Sequence, residues 1–333
     1  GLFKENANPT TNEVNVYANS MQRCIATANY FKTALFPVGD VKVNHRFVPS
    51  KMDPVFFPRL TKTSKSFKAQ ALKEIAAMGG KKGIVGINED LKECYEITAK
   101  VLDLKNSPAC KQDNLCAFDN YNTQIILEKG DEPRMKGSLK DANTCSDALI
   151  LQYYEEPDAK KAAFGHNITL TDWTKIAKIK DVYGDVLFAA PTVAVNVAHP
   201  LLVYMYDELS DKDRKLSFLC GHDSNIASVT AALEVEPYNL PNSIEKKTPI
   251  GCKLVFEKFE GKDGQMYCDI NLTYQSTDQL RNIAMLGLNN PPQIFPISLK
   301  GLQKNADGLY LLNDVKARFM KAIRAYDKIE DEF

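Results

Sequence analysis

Gly221-His222-Asp223-Ser224-Asn225 sets an imidazole and a carboxylate side by side after a turn-forming glycine. An imidazole can hydrogen-bond a phosphate oxygen, and a carboxyl group can hand a proton to a departing oxygen. Arg23 is the second candidate, because a guanidinium forks onto phosphate oxygens. The other histidines carry less. His45 lies in or beside a strand, His166 sits in a Gly-His-Asn turn, and His199 precedes Pro200. None shares a helix face with another His or carboxylate at metal spacing, so neither a metal site nor a cofactor is read. No GxSxG elbow supports a Ser/His/Asp triad. Glu155 and Glu156 follow Tyr153-Tyr154 at a helix end, either as a pocket rim or as an ordinary solvated terminus.

The elements around these residues place them. The apolar run Leu216 to Cys220 reads as a strand and Ile226 to Leu233 as a helix, so the His-Asp pair falls at a strand's carboxyl end and a helix N-terminus. Val14 to Tyr17 reads as a short strand feeding a helix from Met21 to Leu35, capped by Asn19 or Ser20, with Arg23 in its first turn. Met21, Cys24, Ile25, Phe31 and Leu35 recur at helical spacing and predict its packed face. Val41 to Phe47 reads as a second strand, and Met52 to Pro58 as a proline-bounded loop. Helical pattern then dominates, broken at Gly79-Gly80 and Gly83, a surface turn without the order of a phosphate loop. Further helices are predicted over Leu139 to Glu155, Trp173 to Leu187, and Pro191 to Leu209 with a kink at Pro200. Gly251 to Phe259 and Gln265 to Tyr274 form a hairpin. The pattern predicts a discontinuous α/β domain over 1–60 and 185–333, carrying a mainly helical insertion over 61–184.

Lysine plus arginine and aspartate plus glutamate both number 42 in 333 residues, so no strong field steers the chain to nucleic acid or a membrane surface. No apolar run reaches the ~20 residues of a membrane helix, and Gly1 to Glu5 lacks the pattern of a signal peptide. Among 8 cysteines, Cys110 and Cys116 close a short polar loop that looks like a local disulfide more than a metal site. The rest lie in apolar stretches and read as buried small hydrophobes; Cys24, beside Arg23, and Cys220, at the strand end, are the two whose oxidation would perturb the site if either were exposed.

Several segments in order then give a specific resemblance. They are Tyr17-Ala18-Asn19-Ser20-Met21-Gln22-Arg23, Met52-Asp53-Pro54 with Phe56 and Pro58, Ser107-Pro108-Ala109-Cys110 with Cys116, Leu151 to Glu155, Gly221 to Ser228, Thr248 to Gly251, and Tyr274-Gln275-Ser276 with Gln279 to Asn282. Across nearly the whole chain they resemble the histidine acid phosphatases (histidine phosphatase superfamily, branch 2), nearest to the periplasmic glucose-1-phosphatases. The resemblance implies a phosphoglycerate-mutase-like sheet flanked by helices and a phosphohistidine mechanism without metal. It implies small phosphomonoesters such as sugar phosphates, or inorganic phosphate, as partners, a periplasmic setting, and room for a homodimer. It assigns Arg23 and His222 to the phosphate, Asp223 as general acid, and Glu155 to the leaving sugar. The family's attacking His belongs to an RHxxRxP motif on the sheet's first strand, and that motif is absent from these residues. The expected first strand is therefore missing. The chain is either a fragment of a longer enzyme, the favoured reading, or a relative that binds phosphate without turning it over. An adhesion or scaffold role for the helical insertion is the remaining reading.

Overall fold

The computed structural model describes residues 2–4, 7–48, 51–120 and 123–332. The chain opens with β1 (Val14–Ala18), buried along its length, and α1 (Gln22–Leu35), followed by the two-residue β2 (Val43–Asn44). A helical stretch follows: α2 (Lys65–Ala77), α3 (Ile84–Asp90), α4 (Lys92–Val101) and α5 (Pro108–Asp113). A small antiparallel pair, β3 (Gln124–Ile126) and β4 (Arg134–Lys136), leads to α6 (Ser138–Glu155), α7 (Ala159–Ala162) and α8 (Leu170–Gly184). Asp185–Ala189 continues α8 as a π-helical segment, and α9 (Pro191–Ser210) leaves it at about 80°. Then come β5 (Leu216–Cys220) and α10 (Asp223–Ala232). The hairpin β6 (Lys253–Glu260) and β7 (Met266–Tyr274), α11 (Thr277–Arg281), β8 (Gln293–Pro296), β9 (Tyr310–Leu311) and α12 (Leu312–Asp327) complete the order.

Two sheets carry the α/β part. The first is parallel, in the order β2-β1-β5, with Val14 opposite Leu216 and Ala18 opposite Cys220. The second is antiparallel, β6-β7-β8, with β9 also on β7. Among the described residues β5 pairs only with β1, and β6 only with β7, so each presents a free edge. One apolar cluster joins the antiparallel sheet to α9, α10 and α12 through Leu202, Val229, Leu272 and Phe319. A separate cluster in the helical stretch, Phe67, Leu91, Leu139 and Ile179 among them, reaches the first half of α9 at Val193 and Val197.

Several sequence expectations need correction. Met21, not Asn19 or Ser20, stands at the N-cap of α1, because both polar side chains are engaged elsewhere. Ser20 Oγ accepts the Phe47 amide at 3.2 Å, and Asn19 turns toward Asp53 and His222. The strand expected over Val41 to Phe47 shrinks to Val43–Asn44, since His45 and Phe47 bond each other and Arg46 is drawn to Asp53. On α1, Cys24 and Ala28 are the buried residues, while Leu35 is exposed.

Gly79, after α2, and Gly86, within α3, serve close approach: a Cβ on Gly79 would lie 1.8 Å from the Gly83 carbonyl oxygen, and one on Gly86 2.1 Å from that of Gly79. Far apart in sequence, the start of the helical stretch is fastened to the chain after α12. Thr63 N donates to Asp331 at 3.1 Å, Glu332 N to Thr63 O at 3.0 Å, Ser66 to Glu330 at 2.8 Å, and Lys62 Nζ to the carbonyls of Tyr326 and Asp327 at 3.3 Å.

Candidate active site

The parallel pairing of β1 with β5 brings two strand-to-helix turns together at their carboxyl ends. Asn19 N donates to Cys220 O at 2.9 Å, just where both strands stop. Arg23, in the first turn of α1, thereby reaches His222, the N-cap residue of α10: Arg23 Nη2 lies 3.1 Å from His222 Nδ1. Gly221 is required by what surrounds it. A Cβ there would stand 2.5 Å from Asn225 Oδ1 and 2.8 Å from the Phe56 ring. Asn225 needs that space, because its Oδ1 accepts the His222 amide at 2.9 Å and its Nδ2 donates to Phe56 O at 2.8 Å.

The His222 ring is held from the opposite side. Asp53 is completely buried and accepts two bonds from Arg46, at 2.9 and 2.8 Å, with others from the Tyr17 hydroxyl and the Val55 amide. Burial pushes this carboxyl up, but Arg46 and Tyr17 outweigh it and hold it below the usual carboxylate range. The Asp53 amide in turn donates to Asn19 Oδ1 at 2.9 Å, which fixes the Asn19 amide and turns its Nδ2 to His222 Nε2 at 2.7 Å. Nε2 therefore faces a donor in Asn19, while Nδ1 faces the Arg23 guanidinium, which can only donate. The Arg23 guanidinium and the His222 ring edge meet beside the N-terminus of α10, an arrangement that suits an anionic oxygen.

Asp223 opens α10. Its Oδ1 accepts the Ser224 amide at 2.8 Å, and its Oδ2 lies 3.4 Å from Lys180 Nζ, with about half of the side chain (52%) exposed. Lys180, on α8, is anchored by Glu245 at 2.6 Å, and the buried Glu245 accepts the Tyr154 hydroxyl at 2.8 Å. Burial works against the Lys180 charge, but Glu245 and Asp223 hold its pKa above the ordinary lysine value. Burial pushes the Glu132 carboxyl up, against the attraction of His222. Cys24 Sγ lies 3.5 Å from Gly221 O and 3.9 Å from His222 Nε2. Cys220, then His222 and Arg23, bring the Cys24 thiol below its ordinary value, against its burial.

A cavity of about 1090 Å³ opens beside Asp223 and Ser224, walled also by Asp147, Lys180 and Asp181; Arg23 and His222 lie outside its lining. Among the described residues no group of three or more His, Cys, Asp or Glu side chains is placed to hold a metal ion. Nor is any single helix among them long and apolar enough to cross a membrane.

Arg23, His222 and Asp223 thus converge, although Arg23 is 199 positions from His222. Glu155 sits exposed at the end of α6, one residue beyond Tyr154. Cys110 and Cys116 form a disulfide across the end of α5. The other histidines stand apart: His166 pairs with Asp103 at 3.5 Å, and His199 stacks on Tyr326. No local sequence pattern marks Asp53, Glu132, Lys180 or Glu245 as site residues. Asn19 carried a signal, a polar residue at a strand's carboxyl end, but it pointed equally to a helix cap.

A parallel sheet whose carboxyl ends present an arginine and a His-Asp pair at a helix start defines an α/β phosphatase. The chain belongs to the histidine phosphatase superfamily (branch 2), whose profile it matches over residues 1–279. It is 39% identical over 329 residues to glucose-1-phosphatase of Providencia rettgeri, across 97% of this chain and 77% of that protein. To the glucose-1-phosphatase of Salmonella typhimurium it is 37% identical over 313 residues, across 92% of this chain and 74% of the relative. Of solved structures, apo Hafnia alvei phytase superposes with a TM-score of 0.84 at 25% identity, covering 98% of this chain and 82% of that one. Membership makes the protein a phosphatase, a hydrolase whose substrates carry a phosphoryl group, on the α/β fold that the sequence predicts.

Proposed function

We propose that this chain carries the phosphate-holding and leaving-group half of a histidine acid phosphatase acting on small phosphomonoesters, sugar phosphates such as glucose 1-phosphate among them. One observation carries the reading: Arg23 Nη2 and His222 Nδ1 lie 3.1 Å apart at the N-terminus of α10, with Asp223 as the next residue. Arg23 and His222 take the non-bridging oxygens of the phosphoryl group, where clustered donors stabilise charge without a metal. Asp223 gives its proton to the departing oxygen. Glu155, past the far end of the Asp223–Lys180–Glu245–Tyr154 chain of contacts, is assigned to the leaving sugar.

The attacking histidine is assigned to an RHxxRxP strand outside these 333 residues, which do not contain the motif. The free edge of β5 is the position we assign to that strand, because it would bring the nucleophile beside His222. Segments 1–60 and 185–333 form the phosphatase domain in this reading, and 61–184 its helical cap. The periplasm is the proposed compartment, in keeping with the Cys110–Cys116 disulfide.

The test compares two proteins, this chain and the same chain extended upstream through an in-frame RHxxRxP. The extended enzyme should hydrolyse p-nitrophenyl phosphate at acidic pH, with Asp223→Asn lowering kcat by about 10²- to 10⁴-fold. The chain alone should bind inorganic phosphate and turn nothing over. Inactivity of the extended enzyme at every acidic pH, with phosphate still bound, would favour a non-catalytic phosphate-binding relative instead.

A further inference from the structure

Asp223 stands in the first turn of α10 with about half of its side chain (52%) in solvent, and its Oδ1 accepts the neighbouring Ser224 amide at 2.8 Å. A carboxylate so placed has three staggered χ1 wells open to it. Like charges press on it as well, from Asp147 on α6 and from Glu132 ahead of β4. Left to itself, such a side chain swings to water. Its second oxygen, Oδ2, meets a cation instead, Lys180 Nζ at 3.4 Å.

Lys180 is fixed from behind. Its Nζ stands 2.6 Å from Oε1 of Glu245, whose side chain is 1% exposed. Glu245 Oε2 accepts the Tyr154 hydroxyl at 2.8 Å and the Ile250 amide at 3.3 Å. One residue further along both segments, the Lys246 amide donates to Asp181 Oδ2 at 2.8 Å, so α8 is stitched twice to the chain after α10. The two distances from Nζ differ in consequence. Lys180 spends its charge first on Glu245, so Asp223 is steered by a cation already paired and stays free to take up and give away a proton.

We infer that Lys180 is the positioning residue for the general acid: anchored by Glu245, it holds the Asp223 carboxyl in the rotamer that faces the departing oxygen. The inference rests on the phosphatase reading proposed above. Lys180 gives no proton and touches no reacting atom; its effect passes through Asp223. That effect grows with the leaving group's need for a proton. A sugar alkoxide leaves phosphorus poorly without one, whereas p-nitrophenolate spreads its charge over the ring and leaves more readily.

Lys180→Met alone would strand the buried Glu245 charge and cost stability. The test therefore pairs Lys180→Met with Glu245→Gln, which removes both charges and keeps an acceptor for Tyr154 and Ile250. In this chain, three-bond couplings from Asp223 Cγ to its amide nitrogen and carbonyl carbon read χ1. They should report one rotamer in the parent and an average in the double variant. In the upstream-extended enzyme, each form at its own optimum pH, the double variant should lower kcat for glucose 1-phosphate at least about three-fold further than kcat for p-nitrophenyl phosphate, the share lost when one χ1 well becomes three. Averaged couplings in the parent, unaveraged ones in the variant, or an equal fall on both substrates overturns the positioning role and leaves the phosphatase reading standing. A folded extended parent that hydrolyses neither substrate overturns the phosphatase reading, and this inference with it.

Discussion

Asn19 holds the His222 imidazole through a bond that starts behind it, at the buried Asp53 amide. Replacing Asn19 by Leu keeps the volume and removes the donor to Nε2. Nε2 is then free to carry the ring proton, with the Cys24 sulfur 3.9 Å away. Phosphate affinity should fall about five- to ten-fold, the worth of one hydrogen bond of roughly 1–1.5 kcal/mol. Long-range ¹⁵N spectra should show Nε2 protonated in the variant; an unchanged tautomer with unchanged affinity would deny Asn19 this role. At this scale the sequence displayed His222, Asp223 and Arg23, because each sits where a strand turns into a helix. Lys180 and Glu245 were invisible. They lie 65 positions apart on α8 and in the segment after α10, and no local pattern reports that both meet beneath Asp223.

Helix α10 depends on one side chain for its start. Asn225 caps the His222 amide and ties it to the 53–58 loop through Phe56 O, so Asn225→Ala removes two bonds from a buried position. Denaturant unfolding should show a loss of about 1–3 kcal/mol, with the midpoint shifted and the slope unchanged. A loss well under that would mean that water or a neighbour replaces the cap. Most element types could be read from periodicity and turn residues. Their edges were missed where a side chain from elsewhere competed: Ser20 was spent on Phe47 rather than on α1, and Arg46 left the second strand for Asp53. The break before Pro191 was legible, but the π geometry ahead of it was not, since Asp185–Ala189 keeps a helical composition.

For the molecule as a whole, pH acts through a half-buried carboxyl. Asp181 stands at the cavity wall, where burial pushes it up to about 7, although its Oδ2 accepts the Lys246 amide at 2.8 Å. An unfolded aspartate titrates near 4. Between those values the folded state holds a proton that the unfolded state has released, so this group lowers stability as pH rises from about 4 to about 7 and no further above. Asp181→Asn keeps the acceptor oxygen and abolishes the charge. It should stabilise the protein at pH 7.5 by about 1–2 kcal/mol, trimmed by water reaching the cavity, with the gain vanishing near pH 4. Thermal melts of both proteins across that range check it, and a constant difference would refute the assignment.

The fastening of residues 62–66 to residues 326–332 bears on how the chain comes off the ribosome. Thr63 and Asp331 are separated by 268 positions, so at about 5–20 residues per second the first waits roughly 13–54 s for the second to be made. Throughout that interval the helical stretch exists without its closing bonds, open to proteases and to wrong partners. A pulse of protease during synthesis should therefore cut near residues 62–66, which the finished molecule shields.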